Sequence, residues 1–410
     1  MTGPLQPPPQ THVTPPPPAL AQRGLWAIFG ATFFELVGYF MLMPLLLLRL
    51  KDGGVSTSLA GLFAASGWVG VFLITPFASA VTQRLGRRPT LWLSAAVPVV
   101  STTGFLLTDA LPVWFACEFI AGAASGLRWV LAEAVVAEFA PPHQRGRMVG
   151  LFETMVGTTF VIGPALLALV GPTNPVALWL VLGFLVLGLL GSAWIPRLPP
   201  AHDAHEARVG LHGVWHALRA HPLIMTVGFV GGFFESGLTS ILPLYGLALG
   251  MGATAAALLV SASGLGSALM MLPAGMAADR LALQPHRGGA HGARLTILHA
   301  CALLTLLATL LIPLVAGAPW LAAAVAFVWG GAGGSLYTLA MIDIGSREQG
   351  ITLVNSTAVL VLSYTLGGTL APALGAAMLD WAPVIGFPAL LLAVAGPGWW
   401  MLRSASRAAR

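Results

Sequence analysis

Two glutamates stand in matching places of a strongly apolar chain. Phe33-Phe34-Glu35 lies in the first apolar run and Phe233-Phe234-Glu235 in the seventh, with Pro44 and Pro243 downstream. A charged side chain at mid-bilayer costs about 2.5–3.5 kcal/mol on insertion scales, so an acid kept there has a purpose. Desolvation penalises the charged form of a buried carboxyl, which lets such a group exchange a proton during transport. Each proline removes a backbone hydrogen bond and permits its helix to bend. The structural alternative is that each glutamate stays neutral, or is tied to Arg128, and only holds helices together.

The fourth run adds Glu118, Arg128 and Glu133. Glu118, Gly122, Ser125, Gly126, Trp129 and Glu133 follow helical spacing, which predicts carboxylates around a close-packed glycine seam. Arg128 points about 80° away from Glu118 and is expected to pair with Glu153 or a neighbouring helix. Further polar candidates are Tyr39, Thr239, Tyr337 and Tyr364. Gly330-Gly331-Ala332-Gly333-Gly334 lacks the lysine of a phosphate loop and reads as close helix packing.

The elements that must position these residues are membrane helices. Hydrophobic residues make up 57% of the chain and charged residues 8%, with a mean hydropathy of +0.85. These values exclude a soluble domain. The net charge of +5 does not point to nucleic acid, because the arginines are dispersed over short loops. Apolar runs of about 20 residues, the length that crosses the hydrocarbon, predict twelve spans: 25–48, 58–81, 90–108, 112–137, 149–171, 175–195, 223–249, 253–277, 294–316, 320–343, 351–378 and 382–402. Glu35 and Glu235 then lie ~15 Å and ~18 Å into their helices, near the midplane. The longest polar stretch divides the spans six and six. The expected organisation is a disordered, proline-rich tail (1–22), a bundle (23–196), a linker with a short amphipathic helix on the membrane surface (197–221), a second bundle (222–403) and a short tail (404–410).

Sixteen basic residues, from Arg23 to Arg410, fall on the side of both termini, and only Arg49 and Lys51 on the other. This excess predicts that both ends are cytoplasmic in a bacterial inner membrane. Trp26, Trp92, Trp114, Trp194, Trp320, Trp381, Trp399 and Trp400 fall near helix ends, as an interfacial belt would.

Two six-helix halves with arginine-rich loops after the second and eighth spans resemble the major facilitator superfamily of secondary transporters. The resemblance covers residues 23–403. Thr82-Gln83-Arg84-Leu85-Gly86-Arg87-Arg88 is similar to the family's G-x-x-x-D-R-x-G-R-R loop, with Ser79 at the glycine and Gln83 at the acid. The repeat keeps Gly275, Asp279 and Arg280. The turn Pro141–Arg147 and the Gly163-Pro164 pair add weaker likeness. The resemblance implies an all-α fold of twelve membrane helices in two pseudo-symmetric bundles, with the first, fourth, seventh and tenth helices lining a central cavity. It also implies a cytoplasmic latch at these loops, complete at Asp279 and weaker at the uncharged Gln83.

The expected function is proton-coupled transport of a small solute by alternating access, through Glu35 or Glu235. The acidic excess of the cavity favours export of neutral or cationic amphipathic compounds. Uptake of a sugar-like metabolite, or a non-transporting receptor or assembly factor on the same fold, are the alternatives. No cofactor, metal or nucleic acid is expected, and the protein should act as a monomer in the bilayer. A membrane enzyme would need a nucleophile–base pair or metal cluster, and His299 has no evident partner for one. The linker pair His212 and His216 reads as solvated, and Cys117 and Cys301 as buried apolar residues.

Overall fold

A segment in hydrocarbon must satisfy its own backbone, and a helix does so within one segment. The computed structural model describes residues 18–55, 57–171, 173–196, 208–251, 253–284, 289–314, 318–382 and 385–408. The longest proline-rich stretch, Arg197, His202, His205 and Arg287 lie outside the described residues.

The first bundle holds α1 (Pro18–Asp52), α2 (Thr57–Ile74), α3 (Ala78–Leu85), α4 (Arg87–Leu107), α5 (Leu111–Phe139), α6 (Arg145–Val170) and α7 (Val176–Ala193). Helices α2 and α3 together form the second expected span, broken by a 3₁₀ turn at Thr75–Phe77. A short α8 (Gly210–Ala220) leads into the second bundle. This comprises α9 (Pro222–Gly232), α10 (Leu238–Ala248), α11 (Ala253–Ala282), α12 (Gly289–Leu310), α13 (Pro319–Arg347), α14 (Gly350–Trp381) and α15 (Gly386–Ala408). Each of the twelve expected spans coincides with a helix or a broken helix pair. By length and apolarity ten described helices qualify to cross a membrane, or eleven if α8 and the seventh span, which meet at 94°, count as one.

Several expectations need correction. Helix α1 begins at Pro18, inside the stretch expected to be a disordered tail, and α15 continues to Ala408. Trp114, expected in the interfacial belt, lies at the start of α5 and does not face outward. It is buried, and its Nε1 donates to the Thr108 carbonyl at 2.6 Å.

Helix α8 buries its small residues Gly210, Gly213 and Ala217 and exposes Leu211 and Trp215. Its backbone is held by both halves: Gly210 N–H donates to Ser79 Oγ at 2.8 Å, and Asn355 Nδ2 donates to the Arg208 carbonyl at 2.8 Å.

The bundles are joined at the end that carries the arginines. There Gly146 and Gly275 cross so closely that a Cβ built on Gly146 would lie 2.2 Å from the Gly275 carbonyl oxygen. Only glycine permits that approach of α6 to α11. Cross-bundle contacts continue to the level of Thr154, whose Oγ1 donates to the Ala268 carbonyl at 3.3 Å, and of Trp129. One continuous core runs through the second bundle into this half of the first, including Phe29, Leu131, Phe152 and Trp329. The far half of the first bundle, around Met41, Phe63, Phe105 and Leu178, packs as a separate core. The two bundles therefore share one interior at the arginine-bearing end and have separate interiors at the other.

Candidate functional site

The duplicated tripeptides fold differently. Phe33-Phe34-Glu35 lies in the uninterrupted helix α1, whereas Phe233–Gly237 forms a π turn between α9 and α10. A π turn rotates the residues it contains away from regular α register, and such insertions recur at functional sites. Glu235 sits inside it. Glycines on the facing helix make the room: a Cβ on Gly334 would stand 2.8 Å from Glu235 Oε1. The expectation that this segment serves close packing is thus sharpened to a particular neighbour.

Glu235 accepts hydrogen bonds from Ser267 Oγ of α11 at 2.5 Å and from the Tyr364 hydroxyl of α14 at 3.0 Å. Across the bundle boundary, Glu133 of α5 accepts from Trp129 Nε1 at 2.5 Å and from the Tyr337 hydroxyl of α13 at 2.5 Å. The Glu133–Tyr337 bond therefore ties the first bundle to the second. Glu153 of α6 stands within hydrogen-bonding reach of Glu133 and close to Glu235, and its Oε1 has no partner among the described residues. Two carboxyls in such contact can bond to one another only when one of them carries a proton. Trp129 packs edge-on against Tyr364 at 5.9 Å, and Tyr337 against Tyr364 at 4.9 Å. Three acids from α5, α6 and the π turn thus meet in one aromatic setting where the bundles join.

Glu35 is not among them. It forms a buried ion pair with Arg128, whose Nη1 also donates to Ser192 Oγ at 3.2 Å and to the Leu91 carbonyl at 3.3 Å. The paired Nε and Oε2 lie in contact but outside hydrogen-bond alignment. Of the two expected partners of Arg128, Glu153 or a neighbouring helix, the pair is with the neighbouring helix α1. It also separates the two glutamates that the sequence presents as equivalents. The pair joins four helices of one bundle, α1, α4, α5 and α7.

Glu118 is also apart from the cluster. Its carboxyl packs against Gly67 of α2, and both oxygens lack a hydrogen-bond partner among the described residues. The seam expected along α5 is divided: Gly122 and Gly126 pack on α2, while Trp129 and Glu133 face the second bundle. Fifteen residues along an α-helix rotate the direction by about 60°, enough to change neighbours. Tyr39 lies near Glu118 and packs on Phe40. Thr239 belongs to α10, and its side chain lies outside the described residues. The sequence reading missed Glu153 and Ser267 as members of the site. A further acid inside the fifth span was the available signal for Glu153; a serine in an apolar helix gives none.

The loops at the joined end carry a second group of contacts. Asp279 accepts from the backbone N–H groups of Gly146 and Arg147, both at 2.8 Å, at the start of α6. Arg87 is buried in a bidentate pair with Glu138. Glu138 also accepts from Gly350 N–H at 3.2 Å. Arg88 donates to the Ala193 carbonyl at 3.2 Å and lies over the Trp92 ring. Gly86 turns the chain at φ +88°, a conformation open to glycine. Gln83, Arg84 and Arg280 are exposed, and Gly275 forms the crossing with Gly146. In the second bundle Asp343 pairs with Arg294, Arg347 and His291.

Comparisons with known proteins agree with this architecture. The chain is 25% identical over 350 residues to an uncharacterized MFS-type transporter, YfkF, of Bacillus subtilis (strain 168), covering 82% of this chain and 83% of that one. It is 22% identical over 144 residues to the quinolone resistance protein NorA of Staphylococcus aureus, covering 35% of this chain and 37% of NorA. Among solved structures it superposes on the human organic anion transporter MFSD10 with a TM-score of 0.74, at 18% identity and covering 95% and 100% of the two chains. On the transporter FucP in its outward conformation the TM-score is 0.73, at 17% identity and covering 92% and 98%. The sequence profile of the Major Facilitator Superfamily matches residues 28–357. With two six-helix bundles and this profile matching most of its length, the chain is a member of the Major Facilitator Superfamily.

Proposed function

We propose that this protein moves a small solute across the bacterial inner membrane by alternating access, driven by proton exchange at Glu133, Glu153 and Glu235. The observation that supports this reading is the meeting of these acids where the bundles join. Rocking the bundles apart at the arginine end parts Glu133 from Tyr337 and Glu153 from Glu235. The surroundings of each acid change with the state of the transporter, and so does its affinity for a proton.

Export of neutral or cationic amphipathic compounds fits the excess of acids over the single Arg128 and the aromatic wall of Trp129, Tyr337 and Tyr364. The partial similarity to a quinolone resistance protein supports the same direction. Arginine asymmetry supports cytoplasmic termini, and the meeting of the three acids within one chain supports a monomeric transporter.

The test is flux in reconstituted vesicles under an imposed pH gradient, with cationic and neutral amphipaths, a sugar and an organic anion. Gradient-driven flux of an amphipath should fall at least about tenfold in Glu133→Gln, Glu153→Gln or Glu235→Gln, while gradient-free exchange persists. Wild-type pH dependence in all three variants would refute the coupling.

A further inference from the structure

Helix α8 has three sides of different chemistry. Gly210, Gly213 and Ala217 face the protein, and the bonds to Ser79 and Asn355 hold that side in place. At 100° per residue, Leu211, Trp215 and Leu218 fall within a sector of about 60°, and His212, His216 and Arg219 fill a second such sector beside it. Leu211 and Trp215 are 60% and 53% exposed. Arg208, just before the helix, joins the basic side, with its Nη1 3.4 Å from His216 Nδ1. Arg219 Cζ lies 4.7 Å from the centre of the Trp215 ring. Helix α8 contains no acid, and among the described residues neither arginine pairs with a carboxylate. Arg208, Val209, His212 and Trp215 line an open recess on this side.

The fold sets both the tilt and the depth of these sides. Helix α8 meets the seventh span at 94°, so its axis runs along the bilayer plane when that span crosses the membrane. Ser79 lies six residues from the end of α3 at Leu85, and Asn355 five residues from the start of α14 at Gly350. The mounts therefore seat α8 ~8 Å inward from the arginine-bearing ends of those helices. Interfacial helices bury their apolar side ~5–10 Å into the boundary of headgroups and acyl chains. In water Leu211 and Trp215 would stay uncovered, and in hydrocarbon Arg208 and Arg219 would lack a counter-charge. The boundary serves both. We propose that α8 is a docking site for anionic phospholipid in the leaflet at the arginine-bearing end. Leu211 and Trp215 enter the acyl boundary, while Arg208 and Arg219 donate to headgroup phosphates, with His212 and His216 between them. The bonds to Ser79 and Asn355 keep the small-residue side inward, so the apolar and basic sides meet the lipid in one orientation.

The inference does not depend on proton exchange, so its test reads α8 itself. The full chain is placed in nanodiscs of phosphatidylcholine, or of phosphatidylcholine with roughly 30% phosphatidylglycerol, and amide hydrogen exchange of α8 is followed by mass spectrometry. The anionic lipid should slow that exchange at least about tenfold, since each arginine near an anionic surface contributes about fivefold in affinity. Arg208→Gln with Arg219→Gln should lose most of this gain, and Arg208→Lys with Arg219→Lys should keep it. Salt at about 0.5 M should shrink it by screening. Leu211→Ser with Trp215→Ser should exchange faster in both lipids. Equal exchange in the two lipids, a gain unmoved by salt, or a gain that survives loss of both arginines would overturn the proposal. The first of these would leave the exposed side to a protein partner. If the double glutamine variant does not fold, Arg219→Gln alone decides: its gain should be about fivefold smaller, and an undiminished gain would overturn the proposal. Lipid-dependent protection with failed gradient-driven flux would count against the proton reading alone.

Discussion

Replacing Glu35 with glutamine separates the two halves of the duplicated motif. In the folded protein Glu35 neutralises Arg128, which is 4% exposed at its side chain and, among the described residues, otherwise has only Ser192 Oγ and the Leu91 carbonyl as partners. Glu35→Gln leaves that guanidinium charged and largely uncompensated. Removing one partner of a buried ion pair costs about 3–5 kcal/mol. For a chain of this size each kcal/mol moves the midpoint about 1–2 °C, so thermal unfolding in detergent should shift down by roughly 3–10 °C. Replacing the pair together, Glu35→Gln with Arg128→Met, removes the orphan charge and should recover most of the loss, because an apolar substitute for a buried pair is often neutral. In vesicles the double variant should keep the pH dependence of the parent, whereas Glu235→Gln should lose it. An unshifted midpoint in Glu35→Gln together with uncoupled transport would refute the assignment of Glu35 as structural. The double variant makes the result interpretable, since a merely misfolded single variant has no route to recovery.

Two further predictions follow from helix crossings. Gly122→Ala would place its Cβ 2.1 Å from the Gly67 carbonyl oxygen, a backbone atom that cannot rotate away. It should cost about 1–3 kcal/mol, measured as a lower unfolding midpoint. Gly146→Ala, with a Cβ 2.2 Å from the Gly275 carbonyl oxygen, should act on conformation instead. It forces α6 from α11 only when the bundles are closed, so labelling of Thr154→Cys, half-buried in the contact across the bundles, by a membrane-impermeant thiol reagent from the arginine side should accelerate, with the midpoint little changed.

Several features were fixed by local properties of the chain. Runs of about 20 apolar residues define the spans because hydrocarbon excludes irregular backbone, whatever lies beside them. The arginine asymmetry and the matched Phe-Phe-Glu pair likewise reveal two halves and an intramembrane origin for the acids without knowledge of their neighbours. The shortness of α8 and its apolar spacing at Leu211, Val214, Trp215 and Leu218 were equally visible.

Which polar groups meet was decided by tertiary structure. Glu35 and Glu235 close the same tripeptide Phe-Phe-Glu, yet one lies in regular helix beside Arg128 and the other in a π turn beside Ser267 and Tyr364. The flanking residues differ, and residues far away in the chain set the partners: Ser192 and Leu91 receive Arg128 in one bundle, and Gly334 opens space for the carboxyl in the other. Glu153 joins the cluster because close glycine crossings bring α6 against α11 at the joined end. Composition determines that an acid is buried in the membrane, since that depends on the span alone. Its partner depends on the rotation and crossing of several helices, and those are settled only when the bundles pack.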